Sequence, residues 1–339
     1  MLLVAHDPLF VAHDTGAGHP ERPSRIAAVA DGIAAADLGD ALAVLPPRDA
    51  TTEELVRVHS PEHLARLVRL SESGGGRIDV DTVASSSSWA AAVRAAGAGL
   101  AAAAAIEAAG GGQAFLALRP PGHHARPETA MGFCLINHVA VTASALAARG
   151  ERVCVVDYDA HHGNGTQEIF YDDPRVLYVS LHEWPLYPGT GWVDETGTGP
   201  GVGATCNVAL PAGATGDVYL GALDDVIEPL VARFAPTWLL VSAGFDAHRA
   251  DPLTGLGLSA GDYRVLAARM LELARTATDT PRVIAFLEGG YDLDALRDSV
   301  CATARALVGE ASTVASSEAP TSGGPGADLV AAARHTHLR

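Results

Sequence analysis

The 339-residue chain contains no lysine; its 23 basic residues are all arginine and face 40 acidic ones, for a formal charge of −17. That balance argues against a nucleic-acid footprint, which needs a clustered basic surface. An acidic field favours cationic substrates instead, such as polyamines or lysine-rich peptides. The missing lysine, beside abundant alanine and glycine, reads as a compositional bias and not as a fold signal. Cysteine is also scarce. Cys134, Cys154, Cys206 and Cys301 form no CxxC pair, which points to a reduced protein of the cytoplasm. The opening Met1–Asp7 has no basic stretch ahead of its short apolar run, so it does not read as a signal peptide. No stretch reads as a membrane span: glycines and Glu107 interrupt the alanine-rich segment around Ala101–Ala105. No repeat of fixed period is visible.

With 48% hydrophobic residues the chain can bury a large core. Short β-branched runs read as buried strands at Gln113–Leu118, Arg152–Asp157, Arg175–Leu181, Thr237–Ser242 and Arg282–Leu287. Helical patterns lie between them, including Val139–Ala148 and Gly261–Thr276. Strands alternating with helices predict an α/β fold, a single domain over 1–310 with a central, mainly parallel sheet flanked by helices. Ser312–Gly326, rich in Ser, Thr, Gly and Pro, reads as a linker. Residues 311–339 are therefore expected to form a flexible tail, with a possible short helix over Ala327–Arg334.

Polar clusters follow each predicted strand: Arg119–His124, Asp157–Gly163, Ser180-Leu181-His182, Ser242–Asp246 and Glu288–Tyr291. Open α/β sheets place ligand sites at the carboxyl ends of their strands, so these five clusters predict the rim of one site. In an extended segment, side chains alternate faces, which puts Asp157, Asp159 and His161 on one side. An isolated D-x-D-x-H also reads as a capped turn, but Asp246 at another strand tip shifts the balance towards a metal. Asp159, His161 and Asp246 would give three protein ligands and an open position, the arrangement of a catalytic site. Zinc, iron(II) and manganese all remain compatible with that oxygen-rich set. Asp157 is cast as a supporting residue or as a ligand to a separate monovalent cation.

His123 and His124 follow a stiff Pro-Pro-Gly turn at the same edge. An imidazole there can take a proton from an activated water and return it to a leaving amine. Asp157 and Asn164 are the candidate partners that would fix the two rings. Tyr291, after a Gly-Gly pair, could donate to an oxyanion; alone it would read as a packing residue.

These residues resemble the histone deacetylase superfamily, particularly its class II branch and related bacterial amidohydrolases. The matching motifs occur in family order over roughly residues 13 to 305: His19–Arg25, Arg119–Ala125, Gly132-Phe133-Cys134, Asp157–Gly165, Ser242–His248 and Leu287–Leu293. The resemblance implies an arginase/deacetylase-like fold and Zn2+ on Asp159, His161 and Asp246. It makes His123 and His124 the tandem histidines and Tyr291 the oxyanion donor. It implies that Gly132, Phe133 and Tyr187 line an acyl-lysine tunnel with Leu253 at its mouth, and that Arg25 faces an internal cavity beneath the metal. Asp157 and Ser180 would help hold a structural K+, and Phe170, Asp173 and Val176 a second one. Asn164 stands where class I members carry aspartate.

The expected function is deacylation of N-acetyl-lysine-type substrates, a peptide, a protein or a small acylated amine, by metal-activated water. Acetylpolyamine amidohydrolysis is the alternative, and a non-catalytic acyl-lysine binding protein the third reading. An arginase-like dimanganese hydrolase would need further ligands and leaves the Gly-Tyr motif without a role. Polyamine-preferring relatives carry an acidic gatekeeper where Leu253 stands, or a long insertion for which Ser71–Thr82 has no room. Neither nucleic acid nor membrane is an expected partner.

Overall fold

The computed structural model describes residues 1–278, 280–309 and 318–338. Eight parallel strands form its main sheet: β1 (Leu2–Ala5), β2 (Leu42–Val44), β5 (Gly112–Leu116), β6 (Val153–Asp157), β7 (Val176–Glu183), β8 (Thr205–Leu210), β9 (Trp238–Ala243) and β10 (Arg282–Leu287). Their order across the sheet is β2-β1-β5-β10-β9-β6-β7-β8. A small antiparallel pair, β3 (Gly75–Arg77) and β4 (Val83–Ser85), lies outside it. The inner strands read as unbroken apolar runs because both faces of a parallel sheet are covered; every residue of β6 and β9 is buried. The five strands expected from the sequence are all present, within two residues at either end. β1, β2 and β8 were not among them. β1 and β2 sit towards one edge, and the run of β8 is broken by Asn207.

Two helical groups pack on the sheet. One combines Ser24–Ala35, Ala260–Ala277 and Leu293–Leu307; the other combines Ser88–Ala108 and His138–Ala147. The alanine-rich segment differs from its reading as an interrupted run. It is one continuous helix of 21 residues, apolar and long enough to cross a membrane, but about two thirds of its apolar window is buried in the protein. Gly97 and Gly99 do not break it. They let the helix approach its neighbours: a Cβ at Gly97 would collide with the backbone of Arg48, and one at Gly99 with the Phe286 ring.

The carboxyl-terminal stretch corrects the expected flexible tail. Residues 311–317 lie outside the described residues, but from Glu318 onward the chain is held. Glu318 accepts from the backbone of Ala260 and pairs with His248 at 2.9 Å, and the Thr321 hydroxyl donates to Asp262 at 2.8 Å. Gly324 N donates to Thr215 at 2.8 Å. A helix over Ala327–His337 then packs on β8, covering an edge strand that would otherwise be open to pairing. Small polar residues suit a linker and also a strap whose backbone bonds to a surface, so composition alone does not separate the two.

Candidate active site

Neighbouring strand tips β5, β10, β9 and β6 bring the polar clusters together. β6 ends at Asp157, so the alternation expected to align Asp157, Asp159 and His161 does not run through the segment. Convergence comes from two successive turns instead. Asp159 N donates to Asp157 Oδ1 (3.2 Å), and His161 N donates to Asp159 Oδ1 (2.9 Å). The Asp157 side chain thereby turns towards His123, while Asp159 and His161 face Asp246.

One atom from each of Asp159, His161 and Asp246 lies within 4.8 Å of the other two. His161 Nδ1 is 3.2 Å from Asp159 Oδ1 and 3.0 Å from Asp246 Oδ2. The remaining carboxylate oxygens are fixed by backbone donors: Gly289 N to Asp159 Oδ2 and Ala160 N to Asp246 Oδ1, both 2.8 Å. Burial and the charge of Asp159 push Asp246 up to about 7. Burial acts on Asp159 in the same direction, but His123 and His161 outweigh it and hold that carboxyl well below the usual range. Two buried carboxylates and an imidazole within reach of one another are a donor set that a divalent cation fits.

The tandem histidines differ in their surroundings. His123 Nδ1 lies 3.0 Å from Asp157 Oδ2; a carboxylate only accepts, so this nitrogen carries the proton. Tyr178 donates to the same oxygen at 3.2 Å. Burial lowers the pKa of His123, but Asp157, Asp159 and Glu288 together raise it to about 10. His124 Nδ1 instead meets the amide oxygen of Asn164 at 2.8 Å. Burial, followed by the charges of His123 and His161, holds its pKa well below the ordinary histidine value. His124 is therefore neutral, with Nε2 left as a base.

Tyr291 is buried. Its ring lies 5.0 Å from the Arg25 guanidinium and edge-on to Phe133 at 5.8 Å. Burial, then Asp246, raises its phenol well above the ordinary value, so it stays protonated and able to donate. Arg25 is fully buried and donates to the carbonyls of Gly290 (2.6 Å) and Glu288 (2.5 Å). Gly132 presses on the His124 ring, where a Cβ would collide, and both it and Phe133 take positive φ. That conformation is costly for a phenylalanine and marks a constrained position. The Phe133 ring meets Tyr291 and the Tyr187 ring meets His124 at 5.2 Å, two edge-on aromatic pairs joined through Gly132, which lies against the His124 ring. Leu253 is part-exposed on an adjoining loop: its N–H and that of Tyr291 donate to the two oxygens of Asp251.

Of the residues expected around potassium, Asp157 belongs to the site through its contact with His123. Asp157 and Ser180 are register partners across β6 and β7. Phe170, Asp173 and Val176 share the turn before β7, where the Asp173 carboxylate is engaged by Arg175.

Four supporting residues were not singled out from sequence. Asn137 caps the helix behind it by accepting from Ala140 N and donates to the Ala125 carbonyl. Asp251, Tyr178 and the Glu288 side chain are the others. Tyr178 reaches Asp157, Asp251 reaches Tyr291 and Glu288 reaches Gly122 across 21, 40 and 166 positions, so no local spacing marks them.

The histone deacetylase domain family matches residues 19–307. A "Probable deacetylase" of Archaeoglobus fulgidus is 40% identical over 295 residues, covering 86% of this chain and 81% of the relative. Histone deacetylase 10, chloroplastic, of rice (Oryza sativa subsp. japonica) is 38% identical, with 89% and 72% covered. Among solved structures, the HDA15 HD domain superposes with a TM-score of 0.90 at 35% identity over 99% of this chain and 94% of that one. The chain belongs to the histone deacetylase family.

Proposed function

We propose that the protein is a zinc-dependent deacylase that hydrolyses the amide of N-acetyl-lysine-type substrates. The observation that carries this reading is the Asp159–His161–Asp246 cluster beside two histidines of opposite electrostatic character. Asp159, His161 and Asp246 would hold the ion, with Fe2+ and Mn2+ as chemically acceptable substitutes. A bound divalent ion supplies Lewis acidity and lowers the pKa of water in the open position. His124, neutral and oriented by Asn164, accepts the proton from the attacking water and later returns it to the departing amine. His123, charged and oriented by Asp157, stabilises negative charge developing beside it. Tyr291 donates its hydroxyl proton in a hydrogen bond to the oxyanion. Gly132, Phe133 and Tyr187 exclude water from the acyl stem. A structural K+ at Asp157 and Ser180, or at Phe170, Asp173 and Val176, rests on the family resemblance alone.

The preferred substrate is an acylated lysine in a peptide or protein, because Leu253 offers an apolar contact and no charge for a distal ammonium. The test combines metal analysis of purified protein with turnover of a fluorogenic acetyl-lysine peptide and of N-acetylputrescine. Expected are activity lost on chelation and restored by zinc, and a larger kcat/KM for the peptide. A clearly larger value for the polyamine would overturn the substrate assignment, and metal-independent turnover would overturn the mechanism. Leu253→Glu is expected to move the ratio towards the polyamine.

A further inference from the structure

The tip of β10 carries a buried carboxyl that the proposed chemistry does not use. Glu288 follows the strand directly and is fully buried. Its Oε2 accepts from Gly122 N at 2.6 Å and from His123 N at 3.2 Å. Pro120 and Pro121 have no N–H to offer, so Gly122 and His123 supply the first backbone donors after this turn begins, and both go to Glu288. The carbonyl side of the loop is held separately, by Thr166 N on the His123 carbonyl and by Asn137 on that of Ala125.

The other oxygen, Oε1, has no hydrogen-bond partner, and neither does either ring nitrogen of His138. His138 Nδ1 lies 3.8 Å from that oxygen. The His138 ring is stacked on Phe286 (5.6 Å, 6° between planes) and lies against Gly122, where a Cβ would come within 2.7 Å of it. Contraction by about 1 Å would give one ordinary hydrogen bond and remove two unpartnered buried atoms. The backbone of the same segment is also anchored, by Arg25 on the Glu288 and Gly290 carbonyls and by Gly289 N on Asp159.

We propose that Glu288, backed by His138, is a positioning residue that holds the tandem-histidine loop in register with the Asp159–His161–Asp246 cluster. The inference rests on the proposed reaction for its effect on rate. Its geometric content, a hydrogen-bond clamp from β10 to the loop after β5, does not depend on turnover. The clamp needs an acceptor for two N–H groups and a polar atom towards His138, which an amide supplies as well as a carboxyl.

The experiment compares Glu288→Ala, Glu288→Gln and His138→Phe in the metal-loaded protein by steady-state kinetics, metal content and the imidazole 15N resonances of His123 and His124. A loop displaced by even a fraction of an ångström costs rate more than binding. Glu288→Ala is therefore expected to lower kcat by about 10- to 100-fold, with KM and metal content nearly unchanged and both resonances moved. Glu288→Gln should restore the resonances and most of kcat. His138→Phe keeps the stack, removes both nitrogens and should give an intermediate loss. A Gln variant as impaired as Ala would overturn the clamp in favour of carboxylate charge. An Ala variant with wild-type kcat and unmoved resonances would reduce Glu288 to packing. If Glu288→Ala does not fold, the Gln and His138→Phe variants decide between the same alternatives. A wild-type protein inactive on every acyl amine would sink the proposed reaction, while the resonances would still decide the clamp.

Discussion

The two halves of the tandem-histidine loop show how neighbouring residues of one type acquire different chemistry. His123 faces the carboxylate side, with Asp157, Asp159 and Glu288 around it, and is pushed to about 10. His124, one residue on, faces the amide of Asn164 and the Tyr187 ring, and is held neutral. Their ring centroids are only 4.0 Å apart. At that separation two positive charges are mutually unfavourable, so the proton that His123 keeps helps to exclude one from His124. A charged and a neutral imidazole thus arise from one dipeptide, and the partners behind the rings decide which is which; the proposed stabiliser and base roles follow that difference.

The strongest way to break this arrangement is to remove the charge that surrounds it. Asp159→Asn and Asp246→Asn each take an anionic ligand from a three-ligand set and should abolish bound metal and activity together. Metal analysis of the purified variants reads this directly. A variant that kept stoichiometric metal and near-wild-type turnover would remove that residue from the coordination sphere. The next largest effect separates the histidines. His124→Ala should lower kcat by about 10²–10⁴-fold, as for loss of a positioned acid/base, while His123→Ala should cost less. A fully active His124→Ala beside a dead His123→Ala would exchange the roles.

The parts of this arrangement that could be read in the sequence are those written into one short segment. Five apolar runs, each followed within a few residues by a cluster holding His, Asp, Glu or Tyr, located the strands and their tips, and with them the edge where the candidate site lies. The Asp159, His161 and Asp246 cluster, proposed as the metal ligands, needed only a D-x-D-x-H segment and one further aspartate. The reason given for its convergence was wrong in physical detail, because β6 stops at Asp157 and side chain-to-backbone turns do the aligning. What pattern could not supply was the layer behind. Glu288 reaches Gly122 across 166 positions, and Asp251 reaches Tyr291 across 40. No local spacing marks such pairs, since only the sheet order makes their strand tips adjacent. The terminal strap was misread for the same reason, its partners on Asp262 and Thr215 being distant in sequence.

A smaller effect is expected at Tyr291, the proposed oxyanion donor. Tyr291→Phe removes one hydroxyl from a ring whose packing on Arg25 and Phe133 is retained. Metal content and folding should be unchanged, and kcat should fall by about 10²–10³-fold, as for other single oxyanion donors. An unchanged kcat would make Tyr291 a packing residue and leave the charge on His123 to stabilise the oxyanion alone.

The smallest expected effect sharpens the contrast between charged and neutral buried histidines by reading it in stability. His59 uses both ring nitrogens while neutral: Nδ1 meets the Arg126 carbonyl at 3.0 Å, and Nε2 accepts from Asn137 N at 2.9 Å. Burial, then the neighbouring His63, lowers its pKa to about 3. The unfolded chain therefore takes up this proton first, near pH 6.5. Stability contributed by His59 is present above that pH and is lost as pH falls towards 3. His123 has the opposite sign: raised to about 10, it contributes stability fully below pH 6.5 and loses it as pH rises through 10. Of these two, only the His59 contribution changes appreciably between pH 7 and pH 5, by roughly 2 kcal/mol if the whole shift is realised. That corresponds to a few degrees in Tm for a domain of this size. His59→Gln cannot take up the proton. Its Tm should be lower at neutral pH but should fall less between pH 7 and pH 5 than that of the wild type, as measured by thermal unfolding of both proteins in the same buffers. Any metal lost on acidification is common to the two and cancels in the difference. Parallel slopes would show that His59 does not titrate in this window, and that burial does not separate it from the histidines that keep their charge.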